Sequence, residues 1–231
     1  MHNQACLCQA MKDVIFWGAT GQARVLREAL GSSGFRLVAV FDNRPLPSPF
    51  SDIPIYLGKE GFSSWLAARS GSEDIHACVA IGGSRGIERL ALQQWLQKQG
   101  IEPLTVIHPR AFVADDAEVG LGSQILAMSA VCTNVKLGDA VIVNTSASVD
   151  HDCMIGSGVH IGPSAHLAGE VQVEDHSFIG IGAVVLPRLR IGRGAIVGAG
   201  AVVTRDVSPG QTVAGVPAKE VECKTAMPRE S

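Results

Sequence analysis

The sequence predicts a chain of two parts, a short α/β domain over residues 13–100 and a parallel β-helix over residues 101–208. A six-residue repeat of apolar residues from Ile107 to Val203 predicts the β-helix. Alternating strands and helices before the repeat predict the α/β domain. With 26 glycines and only 5% aromatic residues, the composition fits a fold of many tight turns.

The bulk composition indicates a folded protein and excludes several classes. Of the 231 residues, 46% are hydrophobic and 18% are charged, which provides a core and argues against disorder. The net charge of −3 lacks the basic excess of a nucleic-acid-binding protein, and no apolar run predicts a membrane span. Residues 1–12 hold no apolar run of signal-peptide length, so we expect a loose extension and no export. The six cysteines form no CxxC pair, which favours reduced thiols in a cytoplasmic protein.

The N-terminal domain begins with a predicted buried strand, Val14–Trp17. A glycine-containing turn follows, and a helix then extends to about Ser32. Leu37–Phe41 is the second predicted strand and Ala77–Ile81 the third, with a last helix that ends near Lys98. This βαβαβ order predicts a short Rossmann-like parallel sheet that binds ligands at the carboxyl ends of its strands.

Residues at the ends of these strands are the candidate substrate-binding groups. The turn from Gly18 to Ala23 would let a phosphate approach backbone N–H groups at a helix N-terminus. The domain is too short for a complete dinucleotide site, so we expect a mononucleotide or a nucleotide-sugar. Alternatively, Gly18 and Gly21 only permit tight packing of strand against helix. The candidates are Thr20, Gly21, Gln22, Asp42, Asn43, Ile81 and Ser84.

The repeat defines the second domain, which we expect to be followed by a tail of residues 209–231. Every sixth residue from Ile107 is isoleucine, valine or leucine at 17 consecutive positions. Four residues after each of these anchors, the chain has Ser, Ala or Val in 15 of 17 cases. The anchors are Ile107, Val113, Val119, Ile125, Val131, Leu137, Val143, Val149, Ile155, Ile161, Leu167, Val173, Ile179, Val185, Ile191, Val197 and Val203.

A period of six fits short strands joined by tight turns, with one large side chain pointing inward on each side of a three-sided prism. Residues 18 apart in the sequence then lie in one column along the prism, and the small residues fill its corners. Each coil buries its apolar face only by stacking on its neighbours. A generic all-β domain is the alternative, although hairpin folds do not keep one frame over so many repeats.

Three further motifs carry a resemblance to a known family: Asn144–Cys153, Gly158–Gly162 and Gly215–Lys219. Together with both domains, over residues 13–221, the chain resembles the hexapeptide-repeat sugar acetyltransferases. These are the relatives of the sialic-acid O-acetyltransferases and the UDP-4-amino-sugar N-acetyltransferases. The resemblance implies a left-handed β-helix, a nucleotide-sugar in the N-terminal domain, acetyl-CoA along the β-helix at a subunit boundary, and a homotrimer.

The resemblance also implies roles for single residues. His151 corresponds to the catalytic base, and Asp152 would stabilise its imidazolium form. The family often has Glu at this second position, so the closeness of the contact is open. A solvated turn histidine is the alternative for His151. The acetyl-CoA site would be lined by His160, Gly169, Ile181 and Ala199.

The 18-residue period places Gly169 one coil above His151. A residue without a side chain there would leave room for the acetyl group, and its N–H could stabilise the oxyanion. The same arithmetic puts Pro163, Ile181 and Ala199 in one column, which a pantetheine arm parallel to the axis would meet in order.

The leading hypothesis is N-acetylation of a nucleotide-linked amino-sugar in glycan biosynthesis by direct transfer, because Cys153 occupies an inward position rather than a nucleophile's. O-acetylation of a sugar and a non-catalytic trimeric binding protein are the alternatives. The nucleotide (UDP, GDP or dTDP) is open, because Thr20-Gly21-Gln22 replaces a common Ser-Gly-His and Asp42-Asn43 a common Asp-Asp. No metal is expected, since the histidine spacings of 9, 6 and 10 after His151 do not match a γ-carbonic anhydrase.

Overall fold

A computed structural model describes residues 11–31, 33–69 and 74–221. The expected loose extension before residue 13 therefore lies almost wholly outside the described residues. Among the described residues, no helix is long and apolar enough to cross a membrane.

The N-terminal domain is a five-stranded parallel sheet with three helices. Its strand order is β3-β2-β1-β4-β5, so that the chain crosses from one edge of the sheet past β1 once, between β3 and β4. The elements are β1 Lys12–Trp17, α1 Gly21–Leu30, β2 Phe35–Asp42, β3 Ile55–Leu57, α2 Gly58–Ala67, β4 Ile75–Val79, α3 Gly86–Lys98 and β5 Glu102–Pro103.

The three strands and two helices predicted from the sequence are present, but the domain also contains β3, α2 and β5. The sequence signal for α2 is weak because two glycines and two serines dilute its helix propensity. The helix is held by Phe62 and Trp65, which are buried against the aromatic cluster around Trp17 and Phe41. Tertiary packing, rather than local propensity, therefore forms this part of the domain.

The β-helix has three faces made of two-residue strands. The first face contains β6 Val106–Ile107, β9 Gln124–Ile125, β12 Ile142–Val143, β15 His160–Ile161, β18 Phe178–Ile179 and β21 Ile196–Val197. The second contains β7 Phe112–Val113, β10 Ala130–Val131, β13 Ser148–Val149, β16 His166–Leu167, β19 Val184–Val185 and β22 Val202–Val203. The third contains β8 Glu118–Val119, β11 Lys136–Leu137, β14 Met154–Ile155, β17 Gln172–Val173 and β20 Arg190–Ile191.

Strands pair in parallel with the strand 18 residues further on, for example Val143 with Ile161. The second residue of each strand is the anchor and points into the prism. Every anchor from Ile125 to Val203 is buried, as predicted. The first anchor is different: Ile107 is 47% exposed because no coil lies beneath it.

The expected tail from residue 209 includes two further strands. β23 (Thr212–Ala214) pairs in parallel with β21, and β24 (Lys219–Glu220) pairs antiparallel to β23. Val213 and Ala218 are buried in the prism core. This segment therefore covers the open end of the last coil, while residues 222–231 lie outside the described part.

The N-terminal domain packs on the first face of the prism. Val106, Leu126 and Ile142 belong to the same apolar cluster as one side of the N-terminal sheet. Gln124 donates a hydrogen bond to Val79 O at 2.8 Å and accepts one from Gln22 at 2.7 Å. The second and third faces, and the corner between them, consequently point away from this domain.

Candidate active site

A cleft of about 380 Å³ lies at the carboxyl ends of β1, β2 and β4. Five of the predicted substrate-binding residues line it: Thr20, Gln22, Asp42, Asn43 and Ile81. Gly21 begins α1 at the edge of the cleft, and Ser84 is exposed outside the lining. The remaining lining residues were not among the predicted substrate-binding groups, although Gly18 belongs to the predicted glycine turn and His160 was predicted at the acetyl-CoA site. They are Trp17, Gly18, Ala80, Gly82, Gly83, Arg44, Arg85, Glu88 and His160.

Gly18 allows the backbone to pack closely against Ala80, and close packing is one of the two interpretations of the glycine turn given above. Its φ of +119° is a conformation that side chains rarely adopt. A Cβ atom there would also lie 2.8 Å from the carbonyl carbon of Ala80 on the neighbouring strand. Gly21 has open space around it, so the turn around α1 leaves room for a ligand.

Asp42 is held inside the domain and does not project freely into the cleft. One oxygen accepts the Ala19 N–H at 3.0 Å, and the other accepts the N–H of Arg44 at 3.0 Å and its Nε at 3.2 Å. Burial alone would raise the pKa of Asp42, but these bonds and the charge of Arg44 outweigh it and lower the pKa. Asp42 therefore orders the glycine turn and Arg44, while Asn43 is exposed at the cleft wall.

His160 is a buried part of the cleft. Its Nδ1 lies 3.2 Å from Gly83 O and its Nε2 lies 3.0 Å from Asn144 Nδ2. The carbonyl can only accept, so Nδ1 carries the proton and Nε2 accepts from the amide. Burial and the charge of Arg89 lower the pKa of His160 to about 4, so the ring is neutral. The expected contact of His160 with the thioester or pantetheine stays a prediction, and within this chain the ring lines the cleft where a nucleotide is predicted.

His151 and Asp152 lie on the turn between β13 and β14, at the corner between the second and third faces. Nδ1 of His151 is 2.7 Å from Asp152 Oδ2, so the shorter aspartate makes the close contact that the sequence left open. Both side chains are about half exposed. The hydrogen bond to Asp152 is the largest cause that raises the pKa of His151, and the charges of Asp150 and Glu170 add to it.

Gly169 lies directly against the His151 ring, as the 18-residue period predicts. A Cβ atom at Gly169 would lie 2.5 Å from Cε1 of His151. The expectation that the glycine leaves room for an acetyl group changes accordingly, because the imidazole itself fills the space. The coils are joined here by a hydrogen bond from Glu170 N to His151 O at 2.9 Å.

Ile181 and Ala199 are exposed at a different corner, between the first and second faces. They are aligned along the prism, with the Gly200 N–H bonded to Ile181 O at 2.8 Å. The predicted acetyl-CoA residues of one chain are thus divided among three places. His160 lies on the first face, Gly169 lies beside His151, and Ile181 and Ala199 share the corner between the first and second faces.

The predicted nucleotide cleft is also remote from His151. The cleft borders the first face through His160, whereas His151 occupies the corner opposite that face. One chain therefore does not bring its own cleft to its own histidine.

Cys153, next to the pair, is fully buried in the prism core, as predicted. Burial raises the pKa of its thiol to about 11, which makes it a poor nucleophile. Within the described ranges, no three His, Cys, Asp or Glu side chains cluster closely enough to hold a metal ion.

Residues 170–205 match the family described as "Bacterial transferase hexapeptide (six repeats)". The solved structure of PerB from Caulobacter crescentus, in complex with CoA and GDP-perosamine, is 33% identical and has a TM-score of 0.83. The match covers 92% of this chain and 99% of that one. This chain belongs to the hexapeptide-repeat sugar acetyltransferases. Structures of the perosamine N-acetyltransferase from Caulobacter crescentus with one histidine replaced by asparagine or alanine match with a TM-score of 0.84.

Other members of the family are similarly close. The acetyltransferase domain of PglB from Neisseria gonorrhoeae, in complex with acetyl coenzyme A, is 32% identical with a TM-score of 0.81. That match covers 91% of this chain and 99% of the PglB domain. The GDP-perosamine N-acetyltransferase of Escherichia coli O157:H7 is 42% identical over 77 residues, 33% of this chain and 34% of that relative. The predicted sugar acetyltransferase family and its left-handed β-helix with a Rossmann-like domain are confirmed.

Proposed function

We propose that this chain is an acetyl-CoA-dependent N-acetyltransferase that acts on the amino group of a nucleotide-linked amino-sugar. The observation that carries the proposal is the His151–Asp152 pair, since acetylation of an amine needs a base near neutral pKa. The cleft beside Asn43 and Gln22 supplies a nucleotide site. Because PerB was solved with CoA and GDP-perosamine, a GDP-linked amino-sugar is the first substrate to test.

The chemistry is direct transfer without a covalent enzyme intermediate. The sugar amine attacks the carbonyl carbon of the thioester while His151 Nε2 takes the proton from the nitrogen. The carbon–sulfur bond then breaks, and the CoA thiolate takes the proton back from the imidazolium. Asp152 stabilises that imidazolium and keeps Nε2 unprotonated beforehand.

Gly169 contributes through its backbone. In the described part of the chain its N–H meets no hydrogen-bond acceptor, whereas its carbonyl accepts from Arg188 N. A free N–H beside the base is suitably placed to stabilise the oxyanion of the tetrahedral intermediate.

The complete site requires more than one chain. His151 and Gly169 lie at one corner, Ile181 and Ala199 at another, and the nucleotide cleft on the far side of the prism. In the homotrimer that we propose, the corner of one chain that carries His151 and Gly169 lies against the next chain. There it meets the first face, which borders the cleft, and the corner that carries Ile181 and Ala199. This arrangement would bring all of these groups together. Acetyl-CoA would then lie at the subunit boundary, with its pantetheine arm along Ile181 and Ala199. We place the enzyme in the cytoplasm, in glycan biosynthesis.

The test is turnover with acetyl-CoA and a panel of UDP-, GDP- and dTDP-linked amino-sugars, with products identified by mass spectrometry. His151→Ala is expected to lower kcat by roughly 100-fold or more, while calorimetry shows that acetyl-CoA still binds. His166→Ala is the matched control, because His166 is an exposed histidine on the adjoining coil whose side chain, among the residues that the structure describes, bonds Ser148. Near-normal turnover of His151→Ala would contradict the proposal.

The two alternatives predict different results in the same assay. An O-acetyltransferase would place the acetyl group on a hydroxyl oxygen of these sugars and leave the amine free. A non-catalytic binding protein would release no CoA with any member of the panel. N-acetylation is favoured because the relatives from Caulobacter crescentus and Escherichia coli O157:H7 are both named N-acetyltransferases.

A further inference from the structure

We propose that Asn134 is a positioning residue for the base: it fixes the carboxylate of Asp152, which in turn fixes the imidazole of His151. This inference rests on the function proposed above. Asn134 touches neither the imidazole nor the cleft, so it would act only through Asp152.

The contacts form a chain of three side chains. Asn134 Nδ2 donates to Asp152 Oδ1 at 2.5 Å, and Asp152 Oδ2 is 2.7 Å from His151 Nδ1. Each carboxylate oxygen therefore has one donor, and the plane of the carboxylate is set from both sides. A carboxylate held by one contact alone could rotate away from the ring.

Asn134 and Asp152 occupy the same corner position in successive coils, 18 residues apart. Both have a left-handed backbone, with φ of 55° and 59°, a conformation that Asn and Asp tolerate better than most residues. The period of the β-helix thus stacks the amide directly under the carboxylate.

A neutral donor suits this position better than a cation would. Asn134 is the largest cause that lowers the pKa of Asp152, so it keeps the carboxylate ionised without cancelling its charge. That charge remains available to His151. The other charged groups around the pair are Asp150 on the same turn, Glu170 and Arg188 on the coils above, and Asp116 below.

Glu170 and Asp116 each have a bonding partner other than the pair. Glu170 is bonded by Arg188 at 2.9 Å, and Asp116 accepts the Thr133 hydroxyl at 2.6 Å. Asp152 receives one hydrogen bond from its own turn, from His151, and one from the coil below, from Asn134.

The test is Asn134→Gly, because glycine adopts the left-handed backbone without strain and removes only the side chain. We expect kcat to fall by roughly three- to tenfold with an unchanged KM for acetyl-CoA. The acid limb of the pH–rate profile should move to lower pH, because a loosened Asp152 no longer raises the pKa of His151 as strongly. Arg188→Gly is the control for the backbone change, since Arg188 has a φ of 62° in the same column and bonds Glu170 instead of Asp152. Loss of its positive charge should move the acid limb to higher pH, opposite to Asn134→Gly, because Glu170 then acts unpaired on His151.

NMR titration of the His151 imidazole in the same variant is a second readout that needs no substrate. If no nucleotide-sugar is acetylated by the wild type, the proposed function fails, but the titration still decides the role of Asn134. If Asn134→Gly is too unstable, Asn134→Asp keeps the shape and tolerates the backbone while replacing the donor with an acceptor, and kcat should fall again. A wild-type kcat or an unmoved His151 titration in Asn134→Gly, or a wild-type kcat in Asn134→Asp, would overturn the proposal.

Discussion

His151, the proposed base, is held by its neighbours on two sides, and each neighbour follows from a different physical cause. Asp152 holds Nδ1 through a hydrogen bond within the turn. Gly169 bounds the other side, because only a glycine leaves the space that the ring occupies. The imidazole is therefore fixed in orientation although about half of it is exposed to solvent.

The pH dependence of turnover follows from this pairing. A general base must be neutral, so activity falls as the pH drops through the pKa of His151. Asp152 raises that pKa, which places the acid limb of the kcat/KM profile above the ordinary histidine value. Asp152→Asn should move the limb to lower pH and also lower the plateau, because the amide cannot stabilise the imidazolium. A profile with the same limb in both proteins would show that Asp152 does not act on the base.

Residue positions within the prism could be predicted from the period alone, but contacts with the other domain could not. The spacing of 18 residues placed Gly169 beside His151, and the same arithmetic applied to Asp152 points to Asn134. The period also assigns His160 to its coil and face of the prism. Its burial in the cleft, however, depends on Gly83, 77 residues earlier in the chain, and no local pattern encodes that contact.

At the scale of elements, helix α3 joins the two domains through a single buried cation. Arg89 is fully buried and donates to Ile81 O at 2.9 Å, Ala140 O at 2.8 Å and Gly158 O at 2.7 Å. Burial lowers the pKa of the guanidinium to about 10, so it remains charged at neutral pH. These bonds fix the end of β4, which lines the cleft, relative to the coils that carry His160.

We expect Arg89→Met to lower the free energy of unfolding by roughly 2–4 kcal/mol, because several buried carbonyls lose their donor. Chemical denaturation measures this directly. Arg24→Met, on the exposed side of α1, is the matched control and should change stability by less than about 0.5 kcal/mol. Equal denaturation midpoints for the two variants would show that the hydrogen bonds of Arg89 contribute little to stability.

The two short strands that sequence analysis missed share a physical reason. β3 has three residues and β5 has two, too few for any alternation to be visible, and both form because a neighbouring strand offers its edge. The burial of Arg89 could not be predicted either, because arginines in helices are mostly exposed to solvent. By contrast, each coil of the prism repeats the same pattern of apolar anchors, so the pairing register of its strands can be predicted from many repeats at once.

At the scale of the whole molecule, the separation of cleft and base is the feature with the strongest consequence. The N-terminal domain covers the first face, and His151 stands at the opposite corner. A prism built of buried side chains is rigid, so no closure within one chain can bring the two together. Catalysis should therefore use the cleft of one chain and the base of another.

Mixed oligomers test this sharing of the site. His151→Ala removes the base but leaves the cleft, whereas Thr20→Trp fills the cleft but leaves the base. Thr20 is exposed and its side chain makes no capping hydrogen bond to α1, so the replacement should not disturb the helix. Each variant alone should be inactive. Co-expressed chains, purified through a different tag on each, should regain about a third of wild-type activity, because every mixed cyclic trimer has one boundary that pairs an intact cleft with an intact base.

The controls for this experiment separate assembly from chemistry. Variants that are purified separately and then mixed should stay inactive unless subunits exchange, and light scattering should give the same oligomer mass for mixed and wild-type protein. A site contained within one chain predicts no recovery at all, because every chain then lacks either its base or its cleft. An inactive mixed oligomer of the correct mass would thus contradict the shared site, while recovered activity would assign the cleft and the base to different subunits.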